Sequence, residues 1–135
     1  MADPAPTAPT APVRAGAGTL RPDGGVSLPH AWTGEGVVAE TGGTGAHVLH
    51  LAVALCVLND VYREADRLGL HVAGVQVAAE GGFTEDWTST GIRYDVRVEG
   101  PSADETEALL EVVDWVAEIP RALRAGVEVL REARP

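Results

Sequence analysis

The sequence predicts an α+β fold in which an antiparallel sheet wraps around one long buried helix. The first half of segment 46–68 is apolar on every side, so a helix there must be covered on most of its surface. Residues 92–99 alternate between apolar and polar side chains, which is typical of a half-buried strand of an antiparallel sheet. The predicted order is strands, helix, two strands, helix, strand, which differs from a repeated strand–helix–strand pattern.

The composition is that of one small globular domain with a short tail. A chain of 135 residues with 45% hydrophobic and 22% charged residues has room for one modest core. Residues 1–13 are mostly Ala, Pro and Thr, which offer few side chains to bury. We therefore expect 1–13 to be a disordered tail and 14–135 to be the folded domain.

Charge and cysteine content exclude several classes of partner and site. The net charge of −10 argues against a nucleic-acid partner or an anionic membrane surface, because both require a basic face. A single cysteine excludes an intramolecular disulfide and a zinc site of several cysteines. The first residues do not resemble a signal peptide, and the apolar run 48–58 is too short to span a bilayer. We expect a cytoplasmic protein.

The elements before the central helix are short. The segment RPDGG at 21–25 predicts a turn, and 26–32 and 35–40 are expected to be strands. The glycine-rich turn 42–45 then ends the sheet, and its Thr44 is suited to be the N-cap of the helix. This turn could also bind an anion through free N–H groups, but it lacks the further residues of a nucleotide-binding loop.

The central helix is expected to end at a C-cap provided by Gly69. Two strands follow at 72–80 and 92–99, joined by a polar hairpin loop that contains Trp87. Ser102 and Glu105 then form a capping box for a second helix. We expect Pro120 to break that helix, and a short helical turn and a last strand at 127–130 to follow.

Segment 42–83 combines a glycine-rich turn, a hydrophobic helix with a cysteine near its middle, a Gly-Leu at the helix end and a Val-rich strand. With these features it resembles the central block of the OsmC/Ohr family. The ending IPRALRAGVEVL, 119–130, resembles that family's closing turn and last strand. The resemblance covers roughly residues 34–131. It implies an intertwined homodimer with two long helices at its centre and a site at each subunit interface.

The resemblance also implies reduction of organic hydroperoxides by two cysteines, with an arginine and a glutamate that activate the first. Cys56 takes the place of the attacking cysteine, but the resolving position falls at 117–119, which contains no cysteine. The register of the activating glutamate falls on Ala46 or His47. The N-terminal part aligns poorly, and there Arg21 is a guess for the arginine. The two-cysteine cycle therefore cannot run within this chain.

Four residues are candidates for catalysis: Cys56, His50, His47 and Glu118. Cys56 is either a buried core residue or the thiol of a pocket. His47 and His50 share one helix face. Each could act as a general base, or be a solvated or capping residue near the helix start. His50 lies about 120° around the helix from Cys56, so contact across a dimer is more plausible than contact within one subunit. Glu118 is a general acid or base, or a solvated side chain.

We expect no metal and no cofactor. The set His47, His50 and Cys56 fits no standard ligand spacing. The three tryptophans are suited to the walls of an apolar pocket, and equally to the core or to a dimer contact. They are Trp32, Trp87 and Trp115. His30 lies two residues before Trp32 and could join such a pocket.

The leading hypothesis is a protein repurposed from peroxide reduction that acts on an apolar small molecule at the dimer interface. Its acid–base chemistry could be isomerisation, cyclisation or hydrolysis. One alternative is a one-cysteine organic hydroperoxide reductase of the stress-response type, resolved by an external thiol. Another is a non-catalytic protein that binds an apolar ligand.

Overall fold

The computed structural model describes residues 10–133, and these form one six-stranded sheet and three helices. The strand order in the sheet is β2-β3-β1-β4-β5-β6. The strands are β1 (Thr10–Gly18), β2 (Val26–Leu28), β3 (Val37–Glu40), β4 (Gly74–Phe83), β5 (Ser89–Glu99) and β6 (Val129–Arg131). The helices are α1 (Gly45–Leu68), α2 (Ala103–Val116) and α3 (Glu118–Leu123).

The sheet is antiparallel except at one edge, which confirms the predicted α+β class. β1 lies between β3 and β4, and Ala15 faces Ala39 on one side and Val77 on the other. Only the β5–β6 pair is parallel among the described strands. One face of the sheet carries small and β-branched side chains that pack on α1, and this contact forms the core.

The predicted boundary between tail and domain is wrong at its described end. β1 begins at Thr10, so residues 10–13 belong to the sheet, and Val13 is fully buried. Composition is misleading here because Val13, Ala15 and Ala17 alternate toward the core, which leaves the polar and proline positions on the other face. The rest of the predicted tail, residues 1–9, lies outside the described residues.

The predicted central helix and both of its caps are confirmed. The Thr44 side chain accepts a hydrogen bond from the His47 N–H, and Gly69 adopts the left-handed conformation at φ 71°. One side of α1 is buried against the sheet, while the opposite side is half-exposed. By length and hydropathy alone α1 could cross a membrane, but its sheet-facing side forms the protein core.

The hairpin of β4 and β5 extends further than the sequence predicts. The strands enclose a connection of only residues 84–88, because the ladder continues past a register shift between Gly81 and Phe83. Trp87 lies in this loop with a positive φ of 64°. The early strands are shorter than predicted, since 29–36 forms a connection between β2 and β3.

The capping box of the second helix is confirmed, but its end differs from the prediction. Ser102 and Glu105 bond each other's backbone N–H. α2 ends at Val116, before Pro120, because Ala117 leaves the helical region with ψ 122°. Pro120 instead lies in the first turn of α3, where no helical N–H is lost. The last strand, β6, begins two residues later than expected.

Candidate functional site

Four polar side chains meet where α1 passes the start of α3, and we call them the Cys56 cluster: Cys56, Asp60, Arg63 and Glu118. The first three are spaced by four and three residues, so they share one face of α1. Glu118 reaches them because the chain turns at Ala117 and starts a new helix. Thus one helix face and one helix start build the cluster.

The thiol of Cys56 has two close polar contacts. Its Sγ donates to Oε2 of Glu118 at 3.6 Å and accepts from the Ile119 N–H at 3.5 Å. Arg63 connects the carboxylates, since its Nη1 donates to Oε1 of Glu118 at 3.0 Å and its Nη2 lies 3.0 Å from Oδ2 of Asp60. The guanidinium therefore lies between two acidic groups, and a thiol is bonded to one of them.

Cys56 is held in its neutral form. Burial raises the pKa of its thiol to about 11, and the negative charges of Asp60 and Glu118 act in the same direction. The Ile119 N–H opposes this shift, but it does not offset the burial. At neutral pH the group is a hydrogen-bond donor rather than a nucleophilic thiolate.

The pKa values of the two carboxyl groups in the cluster are shifted in opposite directions. Asp60 is 1% exposed, and burial raises its pKa to about 6, with a contribution from Glu118. Glu118 is exposed, and the Glu118 backbone N–H and the Arg63 guanidinium lower its pKa. A pair in which one acid titrates near neutral pH while the other stays ionised is suited to proton transfer.

The same donors could hold a small cation, because atoms of Cys56, Asp60 and Glu118 lie within 4.8 Å of one another. The positive charge at this point is already supplied by Arg63, which bonds both carboxylates. The thiol would also have to lose its proton to become a ligand. We therefore describe the cluster as a hydrogen-bonded ion-pair network.

His47 lies at the start of α1. Its Nδ1 is 2.6 Å from Oγ1 of Thr44, and its ring lies over Gly42, where an added Cβ would come within 2.6 Å of Cε1. This is the arrangement expected of a histidine that supports a helix cap.

His50 is enclosed in the core of its own subunit. It is fully buried and stacks on Phe83 with ring centroids 6.3 Å apart, and neither ring nitrogen has a hydrogen-bond partner within residues 10–133. Burial and the nearby His47 lower its pKa, so the ring is neutral. Its position leaves no exposed surface for a second subunit, and its contacts share no residue with the Cys56 cluster.

The tryptophans are spread over the surface rather than gathered around Cys56. Trp32 is 41% exposed and lines a cleft of about 220 Å³ with Tyr62 and Leu70. Trp115 is 73% exposed and lies under the guanidinium of Arg121. Trp87 packs near Phe83 in the hairpin loop.

A chain of hydrogen bonds reaches the cluster from the connection between β2 and β3. His30 Nδ1 is 2.9 Å from Oγ1 of Thr33, and His30 Nε2 is 3.2 Å from Oδ1 of Asn59. Nδ2 of Asn59 donates to Oδ1 of Asp60 at 3.1 Å. The cluster therefore has polar partners beyond α1 and α3.

The fold has clear counterparts among solved structures. An organic hydroperoxide resistance protein OsmC from Legionella pneumophila, described as a predicted redox protein and regulator of sulfide bond formation, matches with a TM-score of 0.57. The match covers 69% of this chain and 72% of that one at 20% identity. The chain has the OsmC fold. The organic hydroperoxide resistance protein OhrB of Bacillus subtilis also matches, with a TM-score of 0.59 and 14% identity over 70% of this chain and 73% of that one.

Sequence comparison adds nothing to this likeness, since no protein-family model and no curated protein matches the chain. Within the OsmC fold, position 118, near which the resemblance puts a resolving cysteine, carries a glutamate bonded to Cys56. The structure thus brings together two of the four predicted catalytic residues, Cys56 and Glu118, and leaves His47 and His50 elsewhere.

Sequence reasoning missed Asp60 and Arg63 as site residues. Both belong to the polar second half of the central helix, and polar helix faces usually face water. The signal that could have identified them is their spacing of four and seven residues from Cys56, which puts all three on one face. Asn59 and Thr33 carried no such signal, because their contacts depend on a connection far away in sequence.

Proposed function

We propose that the chain forms an OsmC-like homodimer that acts on an apolar small molecule by proton transfer at the Cys56 cluster. The observation that carries this proposal is the pairing of a protonated thiol with Glu118, beside an Asp60 carboxyl whose pKa is raised to about 6. This environment suppresses thiolate attack and favours the exchange of protons between carboxyl groups.

The exposure of each carboxyl group suggests its role. Glu118 is ionised and its side chain is 61% exposed, so it can reach a substrate and accept a proton from it. Asp60 is buried and has a carboxyl oxygen within 4.8 Å of one of Glu118, so it can resupply the proton that the product needs. Arg63 balances the charge of both groups. Isomerisation, cyclisation and hydrolysis all use such a pair.

A second copy of the chain is the partner that the exposed face of α1 requires. This face carries four residues at successive spacings of four, three and four: Val48, Ala52, Leu55 and Asn59. Val48 is 53% exposed, and the other three are half-exposed. This is the spacing of a helix seam that pairs with another helix. Because Leu55 and Asn59 adjoin Cys56 and Asp60 in the chain, the partner would close one side of the site.

Reduction of organic hydroperoxides by Cys56 is the second candidate, favoured by the likeness to proteins described as organic hydroperoxide resistance proteins. The thiolate would attack the peroxide oxygen, release an alcohol and become a sulfenic acid, which an external thiol would reduce. With a pKa of about 11, roughly one Cys56 in 10⁴ is ionised at pH 7, which makes this step slow.

Two assays separate the candidates. The first compares wild type with Cys56→Ser for consumption of an organic hydroperoxide in excess dithiol, and we expect equal background rates. The second measures turnover of a panel of apolar esters, epoxides and enolisable ketones by three proteins: wild type, Cys56→Ser and Glu118→Gln. Turnover that Glu118→Gln reduces by about 10²–10⁴-fold and that Cys56→Ser tolerates supports the proposal.

Other outcomes contradict the proposal. Rapid peroxide turnover by wild type alone would make Cys56 a peroxidatic thiol. If a panel compound raises the melting temperature of the protein and is not turned over, the chain is a binding protein instead.

A further inference from the structure

The hydrogen-bonded chain from Thr33 to Asp60 has a defined direction. Oδ1 of Asn59 is an acceptor, so the proton of the neutral His30 ring must lie on Nε2. Nδ1 then accepts from the Thr33 hydroxyl, and the Asn59 amide donates to Asp60. Every donor in this chain points toward the carboxylate, which stabilises its charged form.

The same hydrogen-bonded chain can also run in the opposite direction. If the Asn59 amide turns over and the half-buried His30 ring exchanges its Nε2 proton with water for one on Nδ1, the chain reverses. A protonated Asp60 then donates to Oδ1, the Asn59 amide donates to Nε2 of His30, and Nδ1–H donates to Thr33. In each of the two states the same atoms have hydrogen-bond partners, and each state suits one charge state of Asp60. A buried carboxyl group can therefore gain or lose its proton without leaving a polar neighbour unpaired.

The surroundings hold the two intermediate members in place. The ring of Tyr62 meets the ring of His30 edge-on, with centroids 5.7 Å apart. Burial lowers the pKa of His30, and the bond to Asn59 opposes this, so the ring stays neutral, as the chain requires. His30 and Thr33 lie on the connection between β2 and β3, whereas Asn59 lies on α1, so the contact ties two distant segments together.

The other charged or titratable groups that act on Asp60 come from two helices. Arg63 on α1 favours the carboxylate, and Glu118 on α3 favours the protonated acid. Cys56, one turn earlier on α1, is neutral but senses the charge of Asp60. Arg63 can only donate, Glu118 is an ionised acceptor, and Cys56 is bonded to Glu118 and the Ile119 N–H, so the chain through Asn59 is the adaptable partner of Asp60.

We propose that His30 and Asn59 are positioning residues for the acid–base step: they orient Asp60 and adjust to its charge by reversing a hydrogen-bonded chain. This inference deepens the proposed function and rests on it for the use of the proton. The chain itself can be tested without a substrate, through the ionisation of Asp60.

The experiment is a carboxyl ¹³C NMR titration of Asp60 in the full-length protein, with the signal assigned by its loss in Asp60→Asn. Asn59→Leu removes the donor to Oδ1 and should raise the pKa of Asp60 by about one unit. His30→Phe should raise it by about half as much. Thr33→Val should have the smallest effect, so that the shift decreases with distance along the chain.

Two controls separate this role from simple packing. His30→Gln keeps an N–H that can reach Asn59 and should return the titration close to that of wild type. His71→Phe changes an exposed histidine outside the chain and should leave it unchanged. If Asn59→Leu does not fold, His30→Phe and Thr33→Val report on the same bonds.

A titration of Asp60 that stays within about 0.3 unit of wild type in the folded variants overturns the inference. Equal shifts from His30→Phe and His30→Gln would also overturn it, because packing alone would then explain them. With graded shifts, an active enzyme should show the same displacement in the alkaline limb of its pH–rate profile, because Asp60 must be protonated to donate. Graded shifts in a protein that turns over no panel compound would leave the chain established and contradict only the proposed function.

Discussion

The two halves of α1 each bury one titratable side chain, and the surroundings treat the two in opposite ways. His50, in the first half, is fully buried against Phe83 with no bonded partner on either nitrogen within residues 10–133. Asp60, in the second half, is 1% exposed but has Asn59 on one oxygen and Arg63 beside the other.

The difference shows what turns a buried polar group into a functional one. Burial, with a smaller contribution from His47, lowers the pKa of His50 and keeps the ring neutral, so it behaves as a core residue. At Asp60, burial is opposed by Arg63 and Asn59 and reinforced by Glu118, and the resulting pKa of about 6 lies near neutral pH. Burial combined with opposing partners, rather than burial alone, makes the second site suitable for proton transfer.

Replacement of Asp60 should have the largest effect on stability. The folded-state pKa of about 6 lies above the ordinary value of 3.8, so stability is lost as pH rises through this interval. Asp60→Asn removes the buried charge and should raise the free energy of unfolding by roughly 2 kcal/mol at pH 8. The gain should shrink at pH 4, where wild-type Asp60 is largely protonated when folded.

The measurement is urea unfolding at both pH values, with Asp104→Asn on the exposed start of α2 as the control. A destabilised Asp60→Asn at pH 8 would mean that the ion pair with Arg63 outweighs the cost of burial.

Replacement of His50 tests whether a buried group without a partner acts only as a core residue. Because burial lowers the pKa of His50, the unfolded chain binds a proton more readily, and stability should fall as pH drops below about 6.5. His50→Phe replaces two unsatisfied nitrogens with apolar carbon and should stabilise the protein by about 1 kcal/mol at pH 7. It should also flatten the pH dependence of unfolding between pH 7 and 5.

Thermal melts across that pH interval test this prediction, and His71→Phe, at an exposed position, provides the matched control. A His50→Phe variant that keeps the fold but loses turnover of a panel compound would contradict the assignment of His50 to the core.

The smallest effect concerns the thiol. Glu118→Gln keeps the size of the side chain but removes a charge that raises the pKa of Cys56. The rate of Cys56 alkylation by iodoacetamide at pH 8 should increase about three- to tenfold. Glu111→Gln, with the same change of charge on exposed α2 surface, should leave the rate unchanged. An equal increase in both variants would show that net charge, and not the contact, is responsible.

The sequence predicts the local elements of this fold well, for physical reasons. Thr44 and Gly69 cap α1 with bonds inside their own segment, and Ser102 with Glu105 does the same for α2. Such signals do not depend on distant residues. Residues 10–13 were wrongly assigned to a tail because their strand is stabilised by pairing with β4, more than 60 residues away in the sequence.

The candidate site shows the same division. Cys56 and Glu118 were both candidates from the sequence, and they are in contact. Asp60 lies in a polar stretch of α1, and nothing in its sequence neighbours shows that Glu118 of α3 lies close to it. His50 has apolar sequence neighbours, which do not reveal that its ring fits tightly beneath Gly81, where an added Cβ would lie 2.9 Å from Nε2. Contacts between elements, which periodicity does not encode, decide both cases.

The most direct test of the account is the titration of Cys56 itself. Ultraviolet absorbance of the thiolate, taken as the difference between wild type and Cys56→Ser, reports its ionisation from pH 5 upward. We predict no thiolate signal below about pH 9 and a midpoint of about 11, because the thiol is buried and bonded to Glu118. A midpoint below about 8 would contradict it and would identify Cys56 as a reactive nucleophile.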